Sequence, residues 1–202
     1  MARRLRDVRD SVALVEALDN LDRQSFGGNS PSILKRLRQV LVLDARKLSR
    51  NISSGAVLAQ TASDLDAELK KVKEWKLKKF TRKDAREAWL QARNACHDAA
   101  GVAKLDSTDG HLHEWRKRAR DLLSITLLLR KLCPDLQEPR HALKQLIDVL
   151  GNDHDLVLLQ KAILDREKEL RSHDGVATLR AELIDFRKNL QSAAFDLNLR
   201  CY

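Results

Sequence analysis

Apolar residues recur every three or four positions along nearly the whole chain, and residues that would interrupt such a pattern are few. Seven glycines and three prolines are spread over 202 positions. A chain with that spacing and so few turn residues is committed to long amphipathic helices. Sheet-rich folds need frequent turns and β-branched or aromatic strands, and aromatics make up only 4% of the chain. The apolar share of 43% suffices for a core, so disorder is excluded. The longest nearly apolar run, Leu122 to Leu129, is interrupted by Ser124 and Thr126. A membrane span needs roughly 20 apolar residues, so no spanning helix is expected. The fold class is all-α, of bundle type.

Periodicity and breakers predict about seven helices. The first runs from about Arg3 to Arg23 and stops at Phe26-Gly27-Gly28-Asn29. Ser30-Pro31 opens a second, which ends near Asn51 to Gly55. A third runs from about Val57 to Lys79. Thr81 caps a fourth, about Arg82 to Ala100, closed by Gly101. Ser107, Thr108 or Asp109 caps a fifth, about Leu112 to Leu132. A sixth spans about Pro139 to Leu170 with a break or kink at Gly151-Asn152, and Gly175 precedes the last, about Val176 to Leu197.

The chain carries an internal repeat. Leu5 to Leu14 aligns with Leu150 to Leu159 at an offset of 145, matching Leu5/Leu150, Asp10/Asp155, Val12/Val157 and Leu14/Leu159. Basic Arg9 falls opposite His154. At the same offset the helix opening near Ser30 falls on the one opening near Gly175, which supports duplication.

Charge points to the partner. Lys and Arg number 38 and Asp and Glu 29, leaving a net charge of +9. Such a surplus attracts polyanions: nucleic acid, anionic lipid or polyphosphate. His113, Arg116, Lys117, Arg120 and Ser124 lie at i, i+3, i+4, i+7 and i+11, within about 100° of helix circumference. Trp115, Ala119, Leu122, Thr126 and Leu129 occupy the opposite, packing side. Glu114 and Asp121 sit to one flank, so the stripe does not alternate in sign as a solvated helix usually does. Stacked cations repel one another, and an anionic ligand relieves that repulsion. The plainer reading is a stripe paired with acids from a neighbouring helix. Cys96, Cys133 and Cys201 are odd in number and widely spaced, supporting neither a disulfide framework nor a zinc site. The opening MARRLRDVRD lacks the apolar core of a secretory signal, and the chain reads as cytoplasmic.

His113-Glu114-Trp115-Arg116-Lys117-Arg118-Ala119-Arg120-Asp121-Leu122, followed by Leu150-Gly151-Asn152-Asp153-His154-Asp155-Leu156-Val157-Leu158-Leu159, resembles the second half of a CHAD domain (conserved histidine α-helical domain). Both family signatures fit, H-x-x-R-K-x-x-(K/R)-x-L and L-G-x-x-(H/N)-D-L-x-x-L. Leu5 to Val12 resembles the first-half counterpart, with Arg6 where the family usually has glycine. Trp89 and Arg93 match the aromatic and arginine of Y-x-x-x-R. The resemblance covers essentially the whole chain. It implies a pseudo-symmetric pair of four-helix bundles with a basic groove that binds inorganic polyphosphate, often at polyphosphate granules, without catalysing turnover. No cofactor or metal is implied. The implied second-half ligands are His113, Arg116, Lys117 and Arg120, with Arg93 and Lys144 as further candidates, and Arg9 from the first half. Lys35 and Arg38 are added because both face one side of the second helix. The first-half counterpart of His113 would fall about 32 positions before Met1 (113 − 145 = −32), so the first bundle is expected to be incomplete at its N-terminus, through truncation, or completed by a homodimer. The expected division is 1–54 as a partial first repeat, 55–81 as a lysine-rich connecting helix and 82–202 as the second repeat.

Other signals weigh less. Asp10 and Asp155 read as structural partners of basic residues or helix caps rather than metal ligands. Gly151 reads as a helix terminator, with Asn152 or Asp153 capping the next segment. Lys70 to Lys83 holds eight basic residues and one acid, a pattern more typical of a solvated face. Trp75, Trp89 and Trp115 read as core anchors. His97-Asp98, His154-Asp155 and His173-Asp174 raise the alternative of an HD-type metal-dependent phosphohydrolase. Adjacent residues on a helix point about 100° apart, which weakens it. An RNA-binding module is the other alternative, since phosphate contacts look alike, but base readout needs aromatics and only eight are present.

Overall fold

The computed structural model describes residues 6–23, 31–53, 55–74, 81–134, 140–170 and 173–201. They form eight helices: α1 (Arg6–Arg23), α2 (Pro31–Ser53), α3 (Ala56–Lys73), α4 (Arg82–Leu105), α5 (Asp109–Leu129), α6 (Arg140–Asp165), α7 (Glu167–Leu170) and α8 (His173–Cys201). Among the described residues there is no strand, so the all-α reading holds. The expected stop at Phe26 to Asn29, the cap at Ser30, the start at Pro139 and Trp75 lie outside the described residues.

Several ends follow local chemistry. Thr81 caps α4 in a reciprocal box: its hydroxyl accepts from the Asp84 N–H at 3.3 Å, and the Thr81 N–H donates to Asp84 Oδ2 at 2.8 Å. The Asp84 carboxyl is thereby held below the usual carboxylate range, chiefly by the Thr81 hydroxyl. Thr108, rather than Ser107 or Asp109, caps α5 by accepting from the His111 N–H. Gly55 opens α3 at φ 81°, a conformation that favours glycine.

Three expected interruptions do not occur. Gly101 lies inside α4, Gly175 inside α8, and α6 runs unbroken through Gly151-Asn152. A helical glycine costs only about 1 kcal/mol. Burial on either side outweighs that, as Ala100 and Ala103 flank Gly101, and Leu146, Leu150, Leu156 and Leu159 bracket Gly151. The sixth helix instead ends at Asp165, and a turn at Arg166 leads into the short α7.

By contact the chain forms two units, 1–78 with 158–182 and 79–157 with 183–202. The segmentation 1–54, 55–81 and 82–202 is a division by sequence repeat, a separate matter from contact. The first unit buries Leu18 and Leu21 of α1, Leu34, Leu37 and Leu41 of α2, and Leu159, Ile163 and Leu179. Leu18 with Ile163, and Leu34 with Leu179, are equivalents at the repeat offset, and all four are buried. In the second unit, α4, α5, the first part of α6 and the last part of α8 converge on one core. It holds Cys96, Ala103, Trp115, Ala119, Leu122, Leu143, Leu146, Leu150 and Ala194. Cys96 and Cys133 are buried free thiols.

Candidate anion-binding face

The position of α5 is fixed from its buried side. Leu112, Trp115, Ala119, Leu122, Thr126 and Leu129 are all buried, at the spacing expected of a packing stripe. Trp115 is fully buried and stacks on Phe195 of α8, ring centroids 5.1 Å apart. Trp89 of α4 donates its indole N–H to Thr126 Oγ1 at 3.1 Å, and Thr126 in turn donates to the Leu122 carbonyl. Both described tryptophans are therefore packing anchors. With that side buried, the face bearing His113, Lys117, Arg120 and Ser124 is left exposed, as the spacing predicts.

The same face meets α6 at two points. The Arg116 guanidinium lies directly on Gly151: a Cβ there would stand 2.9 Å from Arg116 Nη2 and 3.4 Å from its Cζ. One turn earlier on α5, the His113 ring lies 4.9 Å from that of His154, tilted by 40°. Residue order rises along α5 as it falls along α6 (113 with 154, 116 with 151), so the two segments run antiparallel. Lys144 is exposed and lies two turns before Gly151, within about 20° of it around the helix. The antiparallel register carries Lys144 toward the Arg120–Ser124 end of the stripe. Histidine, arginine and lysine groups from two helices thus line one strip.

Not every candidate joins this strip. Lys117 lies 3.4 Å from Glu114, which also holds Arg118 at 2.7 Å, and Arg118 reaches Asp121 at 3.8 Å. The expectation that the flank acids stay apart from the basic stripe is thus corrected at Lys117, whose long stem brings its ammonium within reach of Glu114. Burial tends to raise the Glu114 pKa, but the Lys117 hydrogen bond and the charges of Arg118 and Lys117 prevail and hold it below the usual range. Arg93 sits over the Trp89 ring at 5.8 Å, anchored at the α4–α5 seam. In the first unit, Arg38 of α2 grips Asp19 of α1 at 2.6 and 3.0 Å, and Arg9 pairs with Asp10 at 2.8 Å. Lys35 is exposed on α2.

Two positions prove more telling than their sequence reading. Gly151 does not terminate a helix; it makes room for Arg116. Asp153 does not cap one; it is 2% exposed and accepts from Arg187 Nε at 2.9 Å, Arg187 Nη2 at 3.2 Å and Gln191 Nε2 at 3.1 Å. Arg187 also reaches Asp109 in the first turn of α5 at 2.6 Å, tying α5, α6 and α8 together. Burial lowers the Arg187 pKa, but its two carboxylate partners prevail and raise it. His154, left out of the expected ligands, was signalled by its alignment with basic Arg9.

Among the described residues, no three His, Cys, Asp or Glu side chains gather into a group able to hold a metal. The His97 and Asp98 side chains are both exposed, and those of His173 and Asp174 lie outside the described residues. No described helix is long and apolar enough to cross a membrane. In comparisons with known proteins, residues 1–164 match the family model described as CHAD domain. No curated protein and no solved structure matches the chain.

Proposed function

Because the chain belongs to the CHAD domain family, a family associated with polyphosphate binding, we propose that it binds inorganic polyphosphate without chemical turnover, along the strip between α5 and α6. The observation that carries this reading is the seating of the Arg116 guanidinium on Gly151, beside the His113–His154 pair. A close-packed glycine holds the arginine fork against α6 and leaves it aligned with its cationic neighbours. Arginine offers a bidentate fork to phosphate oxygens, lysine a point charge, and histidine a donor that strengthens on protonation.

His113 and Arg120 are seven residues apart, so their backbones are separated by about 10 Å along α5. A polyanion lying along the strip meets Arg116, Arg120 and Lys144 in turn, with His113 and His154 at one end. Each contact releases counterions, and no bond is made or broken. Lys117 contributes once the ligand competes with Glu114. Arg93 is assigned to a more peripheral contact; Arg9, Lys35 and Arg38 belong to the other unit, where Asp10 and Asp19 already engage Arg9 and Arg38. The protein would accordingly reside where polyphosphate accumulates, in the cytoplasm and at polyphosphate granules.

The test is titration with long-chain polyphosphate against an equal phosphate concentration of RNA, at about physiological salt (Debye length about 8 Å). Tight, polyphosphate-selective binding is expected, and equal or stronger RNA binding would favour the nucleic-acid alternative. Arg116→Glu with Arg120→Glu should abolish polyphosphate binding while leaving helicity unchanged. Unaltered affinity would remove these residues from the site.

A further inference from the structure

Two imidazoles meet at the seam between α5 and α6. The His113 and His154 rings stand 4.9 Å apart, tilted by 40°. His113 is exposed and His154 half-buried, so the pair lies at the solvent edge of the seam. Arg116 follows His113 by one turn of α5, and its guanidinium lies on Gly151, one turn before His154 on α6. One permanently charged group and two titratable ones are thus gathered at this end of the strip.

Carboxylates on the surrounding helices already have partners. Asp109, one turn before His113 on α5, is held by Arg187 of α8 at 2.6 Å, and the same guanidinium holds Asp153, adjacent to His154 on α6, at 2.9 Å. Glu114 holds Lys117 and Arg118. At the end of α4, Asp106 lies 3.4 Å from His111. Asp155 follows His154 in sequence and points about 100° away around α6. The two rings therefore govern each other's charge. Two imidazolium rings this close repel, and the Arg116 guanidinium adds to that repulsion. A polyanion laid across both rings offsets it, because phosphate charge favours the protonated rings and phosphate oxygens accept from their N–H groups. Whichever ring carries the first proton, the second is held best with the ligand in place. Protons and ligand then promote each other's binding by the same factor.

We propose that the His113–His154 pair makes the site proton-linked: it takes up a proton as polyphosphate binds, so that binding tightens as pH falls from about 8 to about 6. This regulation presupposes polyphosphate as the ligand. The window lies above the titration of Glu114, whose carboxyl is held below the usual carboxylate range, so the flank acid stays charged throughout.

The experiment is calorimetric titration of the full chain with long-chain polyphosphate at about pH 8, 7 and 6 and constant ionic strength, repeated at about pH 7 in buffers of different ionisation enthalpy to count protons. Affinity should rise about fivefold or more from the highest pH to the lowest, with net proton uptake on binding. His113→Gln with His154→Gln should flatten the pH dependence and remove most of the uptake. His113→Lys puts a permanent charge at an exposed position, so it should bind more tightly than the native chain at about pH 8 and lose at least about half of the pH dependence. That variant keeps the proposal testable if the double variant does not fold. His97→Gln, at an exposed histidine of α4, should retain the native pH dependence, which separates the pair from other histidines and from the ligand's own chain ends. Binding that is equally tight at all three pH values, or a pH dependence kept by the double variant, would overturn the proposal and leave polyphosphate binding standing. No polyphosphate binding at any of the three would overturn both.

Discussion

Gly151 and Glu114 show how single residues set the chemistry of the strip. Replacing Gly151 by alanine places a methyl group 2.9 Å from Arg116 Nη2, and the far end of the arginine must swing away. The helix itself gains up to about 1 kcal/mol from the alanine. Gly151→Ala is therefore expected to leave thermal stability unchanged or raised while polyphosphate affinity falls about tenfold, the worth of one charge-assisted contact of roughly 1.5 kcal/mol. Parallel melting and titration would check this, and a loss of stability with intact binding would contradict it. Glu114 acts in the opposite sense, holding Lys117 and Arg118. Its folded pKa is depressed, so its stabilising contribution is present above the ordinary glutamate value and disappears as pH falls through the lowered one. The carboxylate is partly exposed, which limits that contribution to less than about 1 kcal/mol. At pH 7, Glu114→Gln should tighten polyphosphate binding a few-fold with little change in melting, and the gain should vanish as pH falls through the lowered Glu114 pKa, where the native glutamate also becomes neutral. His113 and Arg116 were legible from their spacing. Their partners His154 and Gly151 were not, because facing residues on separate helices leave no spacing to read.

At the level of helices, amphipathic periodicity predicted where most elements lie, and capping chemistry predicted the start at Thr81 and narrowed that of α5 to Ser107, Thr108 or Asp109, of which the structure uses Thr108. What misled was glycine. Gly101, Gly151 and Gly175 each suggested a stop, yet all three are helical, since apolar burial to either side outweighs the local cost. Asp153 misled for a related reason, since a carboxylate after a glycine resembles a cap. Here it is the buried joint at which α6 holds Arg187 of α8, with side chains 3% and 14% exposed. Removing Asp153 leaves Arg187, whose side chain is 14% exposed, with Asp109 as its one remaining carboxylate among those described. Asp153→Ala is expected to destabilise the fold by about 3 kcal/mol or more, measured by chemical denaturation. A change below about 1 kcal/mol would mean that solvent or Gln191 can satisfy Arg187 without the carboxylate.

For the molecule as a whole, the net charge of +9 predicts attraction to polyanions but not which ones. If Arg116, Lys117, Arg120 and Lys144 each neutralise one phosphate, the logarithm of affinity should fall with the logarithm of salt at a slope of about −3, taking about −0.7 per contact. A slope near zero would contradict an electrostatic mechanism, and Arg120→Glu should make it shallower. The sequence by itself determined the helical class, the repeat, the basic stripe on α5 and the family signatures. All of these are expressed in the order and spacing of residues along one chain, through the 3.6-residue turn. Only the tertiary structure decided which cations gather. Arg116 and His113 meet α6, Lys117 stays with its neighbouring glutamate, and Arg9 and Arg38 are engaged by Asp10 and Asp19. The same step turned Gly151 from an expected stop into a seat for a guanidinium. The physical reason is that a side chain's neighbours across a helix pair are fixed by packing, which brings together residues 35 or 41 positions apart and is written nowhere in local spacing.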